Sequence, residues 1–387
     1  MPPNRARGRA FVTHQSLHDH MGGASSVTAW VLQALSRDYD VLLATPDPVV
    51  DFAALDAIYG TSLSQAGIGL RPLAIPRWLR RMPAGQAKSL RLAAAFRYAG
   101  FPEEQDAMIF NTANEMSFTG VCANYVHCPI RHRRMVSELS SGPERWLRLA
   151  NNAVFKMVSR FDEQRFRRST CIANSEWTAA ALRRTYGMRA RVIYPPVVRP
   201  SRAPTPLPDR RLGFVCIGRL TPEKRTHEAV EVVEELRRRG HDVHLHIVGS
   251  GSGAYARRIE TLATDRQHVR LHREMSRAEL AELLDRHRFG LHMMRNEHFG
   301  MAVAEMTAAG MLVFAHASAG PAEILGARSP LLFGDPGGAV NAAERLLRDR
   351  GLRDEVMAAV AARGIAEAFA PEAFMRSIRS AAAEAMR

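Results

Sequence analysis

The chain has little of what marks a membrane span, a secreted scaffold or a zinc module. It contains no run of about 18 uncharged apolar residues, so no transmembrane helix is expected. Met1 to Arg9 is basic and polar with no apolar stretch behind it, unlike a secretory signal, and the expected location is cytoplasmic. Cysteines number four (Cys122, Cys128, Cys171 and Cys216), with no CxxC pair and no framework spacing, which suits reduced thiols. The histidines number 15, and two sets lie close in sequence: His14, His18 and His20, and His127 and His132 around Cys128. Neither set has the HExxH or paired-cysteine spacing of a zinc site, so no metal ligands are expected. Short internal repeats, a low-complexity tail and recognisable nucleic-acid motifs are also missing.

What is present is enough chain for two domains. The 387 residues are 46% apolar and 24% charged, an ordinary balance for a globular protein. The net charge of +14 is uneven. Residues 1–200 hold 26 Lys and Arg against 15 Asp and Glu, whereas residues 201–387 hold 27 against 24. A basic first half suits an anionic partner, such as a phosphorylated acceptor, an acidic membrane surface or a nucleic acid.

Periodicity gives an α/β chain. A strand from Ala10 to Thr13, the loop Asp19-His20-Met21-Gly22-Gly23, a helix from Ser25 to Leu35 and a strand from Val41 to Ala44 form a βαβ opening. Val121 to Val126 reads as a strand ending at His127-Cys128-Pro129. Pro143 to Arg168 reads as one long helix with Trp146, Leu149, Ala153, Met157 and Phe161 on a stripe. That stripe is expected to pack on the domain core, the other reading being a basic helix on a membrane surface. Pro200, Pro204, Pro206 and Pro208 mark a linker. Beyond it, strands alternate with helices, including one from Pro222 to Arg239 and one opened by a Ser276/Glu279 capping box. The expected architecture is two Rossmann-like, doubly wound parallel-sheet domains, 1–200 and 201–370, facing across a cleft. A C-terminal helix, 371–387, is expected to pack back toward the first domain.

Four clusters carry chemistry. Asn296-Glu297-His298-Phe299-Gly300-Met301 leads from a strand into a helix that also holds Glu305. Helix-start amides suit an anionic or hydroxyl-rich ligand, Gly300 permits close approach, and the two carboxylates suit sugar and ribose hydroxyls. Gly218-Arg219-Leu220-Thr221-Pro222-Glu223-Lys224 places two cations, Arg219 and Lys224, beside a helix start, as a diphosphate requires. Gly22-Gly23 ahead of a helix lets a phosphate rest on backbone amides. His127, at a strand's carboxyl end, is placed to bind a hydroxyl or move a proton.

Together these strings resemble glycosyltransferase family 4, with the GT-B fold. The resemblance rests on Gly-Arg-Leu-x-x-x-Lys at Gly218 to Lys224, Glu-x7-Glu at Glu297 and Glu305, Gly22-Gly23, and His127. The family's Gly-Gly-x-x-Glu appears as Ala319-Gly320-Pro321-Ala322-Glu323, with its first Gly replaced. Tyr-Val-His-Cys-Pro, Ala-Asn-Ser-Glu-Trp-Thr, Tyr-Pro-Pro-Val and Asn-Glu-His-Phe-Gly look closest to the α-1,2-mannosyltransferases that extend the dolichol-linked oligosaccharide.

The resemblance implies a retaining transferase that uses a nucleotide sugar, GDP-mannose favoured, and an acceptor that is phosphorylated or lipid-linked. It implies phosphate contacts from Arg219 and Lys224, and hexose contacts from Glu297 and the His298–Met301 segment. It also implies ribose contacts from Glu305 and a reaction centre lined by His127. No cofactor or metal is implied, since a front-face route lets the departing phosphate assist the acceptor. Asp38-Tyr39-Asp40 spells an acid-x-acid string but falls between a helix and a strand, away from the expected site. A nucleotide-sugar-binding protein or epimerase on the same fold is the alternative, and a basic nucleic-acid-binding protein is a third reading.

Overall fold

The computed structural model describes residues 8–17, 22–76, 93–95, 97, 107–198 and 205–387. The Asp19-His20-Met21 part of the first loop, His18, Pro200 and Pro204 lie outside them. The chain divides into two units, Met1–Pro196 with Pro371–Arg387, and Val197–Ala370.

The first unit is built on seven parallel strands: β1 (Arg9–Thr13), β2 (Asp40–Thr45), β3 (Gly69–Pro72), β4 (Ala107–Asn111), β5 (Val121–Val126), β6 (Thr170–Ala173) and β7 (Arg191–Val192). Their order across the sheet is β3-β2-β1-β4-β5-β6-β7. The central strands are largely apolar because helices cover both faces, and their buried Thr13, Asn111 and Asn124 are bonded to one another. Phe11 on β1 lies between Leu42 and Ile109 of its neighbours. Helix α1 (Gly23–Leu35) is buried nearly all round. The last helix of the chain, Pro371–Ala385, belongs to this unit: its Phe374 packs edge-on against Tyr125, ring centroids 6.2 Å apart. Its Arg379 donates two bonds to Asp38, of 2.5 and 2.7 Å. The first acid of the acid-x-acid string is thus held by a guanidinium in the turn before β2.

The second unit has six parallel strands: β8 (Arg211–Ile217), β9 (His244–Val248), β10 (Val269–His272), β11 (His287–His292), β12 (Leu312–His316) and β13 (Leu332–Phe333). Their order is β10-β9-β8-β11-β12-β13. Phe214, Phe289 and Phe314 stack from β8 across β11 to β12, with centroids 5.1 and 5.9 Å apart. Such contacts add about 0.5–1.5 kcal/mol each beyond the area they bury. Strand order reverses between β8 and β11. In doubly wound sheets ligands bind beyond the carboxyl ends at that point.

Two helices differ from expectation. The long helix over Pro143 to Arg168 is two helices, α4 (Gly142–Ser159) and α5 (Glu163–Arg168), preceded by the short α3 (Arg133–Leu139) and with α2 (Phe52–Tyr59) earlier in the unit. Arg160 takes a left-handed φ of 51° and ends α4. On α4 most of the stripe is therefore not core, whereas Phe161, beyond the helix, packs against the buried cluster around Phe166 and Tyr186. Trp146 is 69% exposed, Leu147 63% and Met157 69%, whereas Phe155 is fully buried. The anchored face runs through Asn152, whose amide donates to the Ile130 carbonyl at 2.6 Å, and Phe155, which lies under the Arg131 guanidinium. This amide and aromatic, with Val158 against the same core, anchor the helix, and Trp146, Leu147 and Met157 are left outside.

The second difference is at Pro222. A short 3-10 turn, Pro222–Lys224, comes first, Arg225 turns left-handed at φ 52°, and only then does helix Thr226–Arg238 begin. Thr221 makes no capping bond. Elsewhere the expected signals hold: Ser276 and Glu279 form the capping box of helix Arg277–Arg286. Ser175 caps helix α6 (Glu176–Tyr186), accepting from the Thr178 amide at 3.1 Å.

Candidate active site

The site is described within the second unit, at the β8–β11 reversal. β8 delivers Gly218, and the 3-10 turn swings Lys224 back so that its alkyl chain lies 3.6 Å from where a Gly218 Cβ would stand. β11 delivers the loop carrying Glu297. Lys224 Nζ donates to Glu297 Oε2 at 2.7 Å, and His292 Nε2 donates to the same oxygen at 3.2 Å. The Lys224 and Glu297 side chains are 20% and 13% exposed, enough for a ligand to reach them.

Burial alone raises the Glu297 carboxyl. The Lys224 ammonium and His292 outweigh it and hold the group well below the usual carboxylate range. Glu297 is therefore an ionised acceptor at neutral pH, suited to binding hydroxyls and unsuited to donating a proton. Burial also lowers His292 and His298, so both imidazoles are neutral.

A sign follows for stability. The folded value lies below the model-compound value of 4.5, so the pair's stabilisation is complete above about pH 4.5 and fades as pH falls through the folded value. Glu297→Gln should cost at most about 3–5 kcal/mol at pH 7, less for a pair this close to solvent. The deficit relative to wild type should shrink toward pH 3. Urea denaturation of both proteins at the two pH values reads it, and a deficit unchanged with pH contradicts this role for the ion pair.

Two loops hold this arrangement by close backbone approach. Gly320 donates its N–H to the Glu297 carbonyl at 2.8 Å, and a Cβ at Gly320 would stand 2.4 Å from both Phe299 Cα and O. Ala319, where the resembled family has glycine, sits at φ 62°, a left-handed conformation that glycine adopts without strain. On the other side, Leu220 donates to the Ser250 carbonyl at 2.9 Å, and a Cβ at Gly249 would stand 1.9 Å from the Gly218 carbonyl oxygen.

Helix Met301–Ala308 starts beyond Gly300, which has φ 104° and no side-chain cap. The N-cap thus offers no side chain to the helix-start amides, and the first turn carries no acid. Glu305 lies on that helix, where burial raises its carboxyl and Arg277 partly offsets the effect. Arg219 is 53% exposed, and its ion-pair partner is Glu223 at 3.8 Å. The structure thus joins Lys224 directly to Glu297. Arg219 and Glu305 stand on the same two loop-to-helix segments with partners of their own. Two residues not singled out from the sequence, His292 and Arg277, complete the set. His292 ends β11 and Arg277 starts a helix, positions that the strand and capping patterns make readable.

In the first unit, Gly22 is the N-cap of α1 and Gly23 its first residue, again with no side-chain cap. His127 follows β5. Its N–H and that of Cys128 donate to Asn114 Oδ1 at 2.8 and 3.1 Å, and its carbonyl accepts from Thr178. Asn114, itself left-handed at φ 64°, fixes this turn. Below it Glu115 is fully buried, accepts from the Arg131 N–H at 2.7 Å, and is pushed up by burial to about 7. His14 is buried and shares Nδ1 with Thr112 and Thr28 hydroxyls, at 3.0 and 2.9 Å. His132 caps α3. Among the described residues, His127, Cys128 and His132 form no group of metal-ligand atoms, and of the first histidine set His18 and His20 lie outside the described residues.

Residues 198–362 match the family model described as "Glycosyl transferases group 1". This segment is a group 1 glycosyltransferase domain. It contains the whole Lys224–Glu297 arrangement. The chain is also 31% identical, over 168 residues, to the GDP-Man:Man(3)GlcNAc(2)-PP-Dol alpha-1,2-mannosyltransferase of Candida glabrata, covering 39% of this chain and 33% of that one. The Caenorhabditis elegans enzyme of the same name is 25% identical over 292 residues, 67% of this chain and 58% of its own. The chain thus spans about a third of the first of these relatives and more than half of the second. Among solved structures, sucrose-phosphate synthase from Thermosynechococcus elongatus superimposes with a TM-score of 0.70 at 17% identity, over 98% of this chain and 99% of that one. WaaG, a glycosyltransferase of lipopolysaccharide biosynthesis, gives 0.68 at 15% identity, over 96% and 99%. The group 1 domain and its partner unit together have the GT-B fold, with Rossmann-like sheets of seven and six strands.

Proposed function

We propose that this chain is a retaining hexosyltransferase that takes a mannose-like sugar from a GDP-activated donor and passes it to a phosphorylated or lipid-linked acceptor. The observation that carries the reading is the Lys224–Glu297 pair, set beside an uncapped helix start at the strand-order reversal of the group 1 domain. The names of the curated relatives support the donor and the acceptor class.

In this proposal Lys224 and Arg219 hold the diphosphate and stabilise the charge that builds on the departing nucleotide. Glu297, ionised, accepts hydrogen bonds from hexose hydroxyls, and the backbone of His298 to Met301 contributes amides. Glu305 takes the ribose hydroxyls. Gly22 and Gly23 offer amides to phosphate, and the ring of His127 binds a hydroxyl at the reacting sugar. The departing phosphate assists deprotonation of the acceptor, so the proposed route uses neither a protein nucleophile nor a metal. An epimerase or a nucleotide-sugar-binding protein would use the same donor contacts without an acceptor.

Donor binding is tested by thermal shift. A ligand that prefers the folded state raises Tm by mass action, by about 2.7 kcal/mol of stability at a hundredfold excess over Kd. GDP-mannose should raise Tm, and UDP-glucose should raise it less. The reverse order overturns the donor assignment, and sugar turnover in the absence of any acceptor favours the epimerase.

The lipid-linked acceptor brings a further element of the proposal, peripheral contact with the inner face of a membrane. Among the described residues, no helix is long and apolar enough to cross one. Helix α4 instead presents Trp146, Leu147, Val154 and Met157 to solvent among Arg145, Arg148 and Lys156, with Arg160 at its end. Exposed aromatic and aliphatic groups set among cations suit an anionic headgroup layer. The protein should sediment with vesicles containing anionic phospholipid and not with neutral ones. The double change Trp146→Ser, Leu147→Ser should release it without lowering Tm, and binding unchanged by that pair counts against α4 as the contact.

A further inference from the structure

At the end of the second sheet opposite the donor loops, several imidazoles meet on one face. His244 and His246 alternate on β9, and His287 opens β11, two strands away across β8. They touch because β8 carries Gly213 between them. Gly213 pairs with His244 in register, and a Cβ there would stand 2.3 Å from His244 Nε2, so any other residue would block the ring's path. His244 Nε2 and His287 Nε2 are 3.0 Å apart, and one ring nitrogen from each of the three lies within 4.8 Å of the others. His246 and His287 are 6% and 2% exposed, while His244 is half-buried and gives access from solvent.

The outer contacts orient these rings as ligands are oriented. His287 donates Nδ1–H to the Leu283 carbonyl at 2.7 Å, so its Nε2 holds a lone pair aimed at His244. His246 bonds through Nδ1 to His272 Nε2 at 2.8 Å. Backbone or imidazole partners on the far nitrogen are what fix the tautomer of a metal-binding histidine.

We propose that His244, His246 and His287 form a binding site for a divalent transition ion that prefers imidazole, zinc above all. Tetrahedral zinc at about 2.0–2.1 Å from each nitrogen needs ligand atoms roughly 3.3 Å apart. The 3.0 Å pair is close to that spacing, and small side-chain rotations bring the third nitrogen in. Arg211, Arg270 and Arg286 stand nearby with Asp242 as the opposing charge. The all-imidazole donor set suits hard, oxygen-seeking ions such as magnesium and calcium poorly. It favours ions bound through nitrogen donation, with water or an anion in the fourth position. Bound metal would clamp β9 to β11 across β8. The site stands at the amino ends of those strands, away from Lys224 and Glu297, and does not depend on the transferase reading.

The test is cobalt(II) added to the full chain, freed of any affinity tag, followed by displacement with zinc. Intense visible bands of tetrahedral cobalt, at one ion per chain and removed by zinc, are expected. A weak octahedral spectrum overturns the proposal and leaves the histidines as neutral core side chains. His287→Gln and His244→Ala should each weaken zinc binding by more than about 100-fold, beyond the loss typical of an outer-shell change. Binding that survives both changes also overturns it. Should a variant fail to fold, the wild-type cobalt spectrum still decides.

Discussion

Replacing Lys224 with alanine should cut sugar transfer by about 10²–10³-fold, the usual cost of removing one charge-stabilising donor, while the protein stays folded. Lys224 joins the β8 loop to the β11 loop through side chains, at 2.7 Å from Glu297. In the proposed complex its ammonium faces the leaving diphosphate, whose charge grows in the transition state, so the loss belongs in kcat. Glu297→Ala should give a loss of similar size for a different reason. It removes the hydroxyl acceptor and leaves Lys224 beside neutral His292 without its counter-charge. Because the two groups touch, the double variant should lose much less than the product of the single losses. Steady-state rates of the four proteins read this directly, and rates near wild type in either single variant contradict the site.

Gly320→Ala should have a large effect on stability. The added carbon would stand 2.4 Å from Phe299 Cα and O and 2.6 Å from the His298 carbonyl oxygen, all backbone atoms that cannot swing aside. Relief requires the loop over Ala319–Gly320 to separate from the one over Glu297–Gly300, breaking the 2.8 Å bond from Gly320 N–H to the Glu297 carbonyl. A loss of about 3 kcal/mol, or a Tm lower by about 6–12 °C for a unit of this size, is expected. Gly334→Ala is the control, since nothing lies within 4 Å of its added carbon. Calorimetry that finds the two variants equally stable would mean that the loops do not pack as described.

The parts of the fold that were legible in the sequence are those fixed by local rules. Alternating strands and helices gave the parallel sheet of the second unit, although β13, two residues long, was not read. The Ser276 box and the Ser175 cap are one-turn signals with their chemistry contained in four residues. The Glu297 loop was readable for the same reason, with Gly300 in place for a left-handed turn.

What was not legible depends on tertiary contacts or on backbone states that composition does not announce. Arg160 and Arg225 both adopt left-handed angles that arginine seldom takes, and each splits a segment whose periodicity reads as one helix. At Arg225 the consequence reaches the candidate site, since the 3-10 turn before it brings Lys224 to Glu297. For α4 the stripe was real but its direction was not, because Asn152 and Phe155 anchor the opposite side. The histidine cluster is another such case. The alternation of His244 and His246 shows in the sequence, but His287 joins them only through the strand order β9-β8-β11 and the missing side chain at Gly213.

Calorimetric titration of GDP-mannose and of GDP into the wild type, Lys224→Ala and Glu297→Ala measures the central claim most directly. Both ligands should bind the wild type, with the mannose adding affinity. Lys224→Ala should weaken both, whereas Glu297→Ala should keep GDP binding and lose the increment from the sugar. Wild-type affinity for GDP-mannose in both variants would place the donor elsewhere and contradict the assignment of this loop pair.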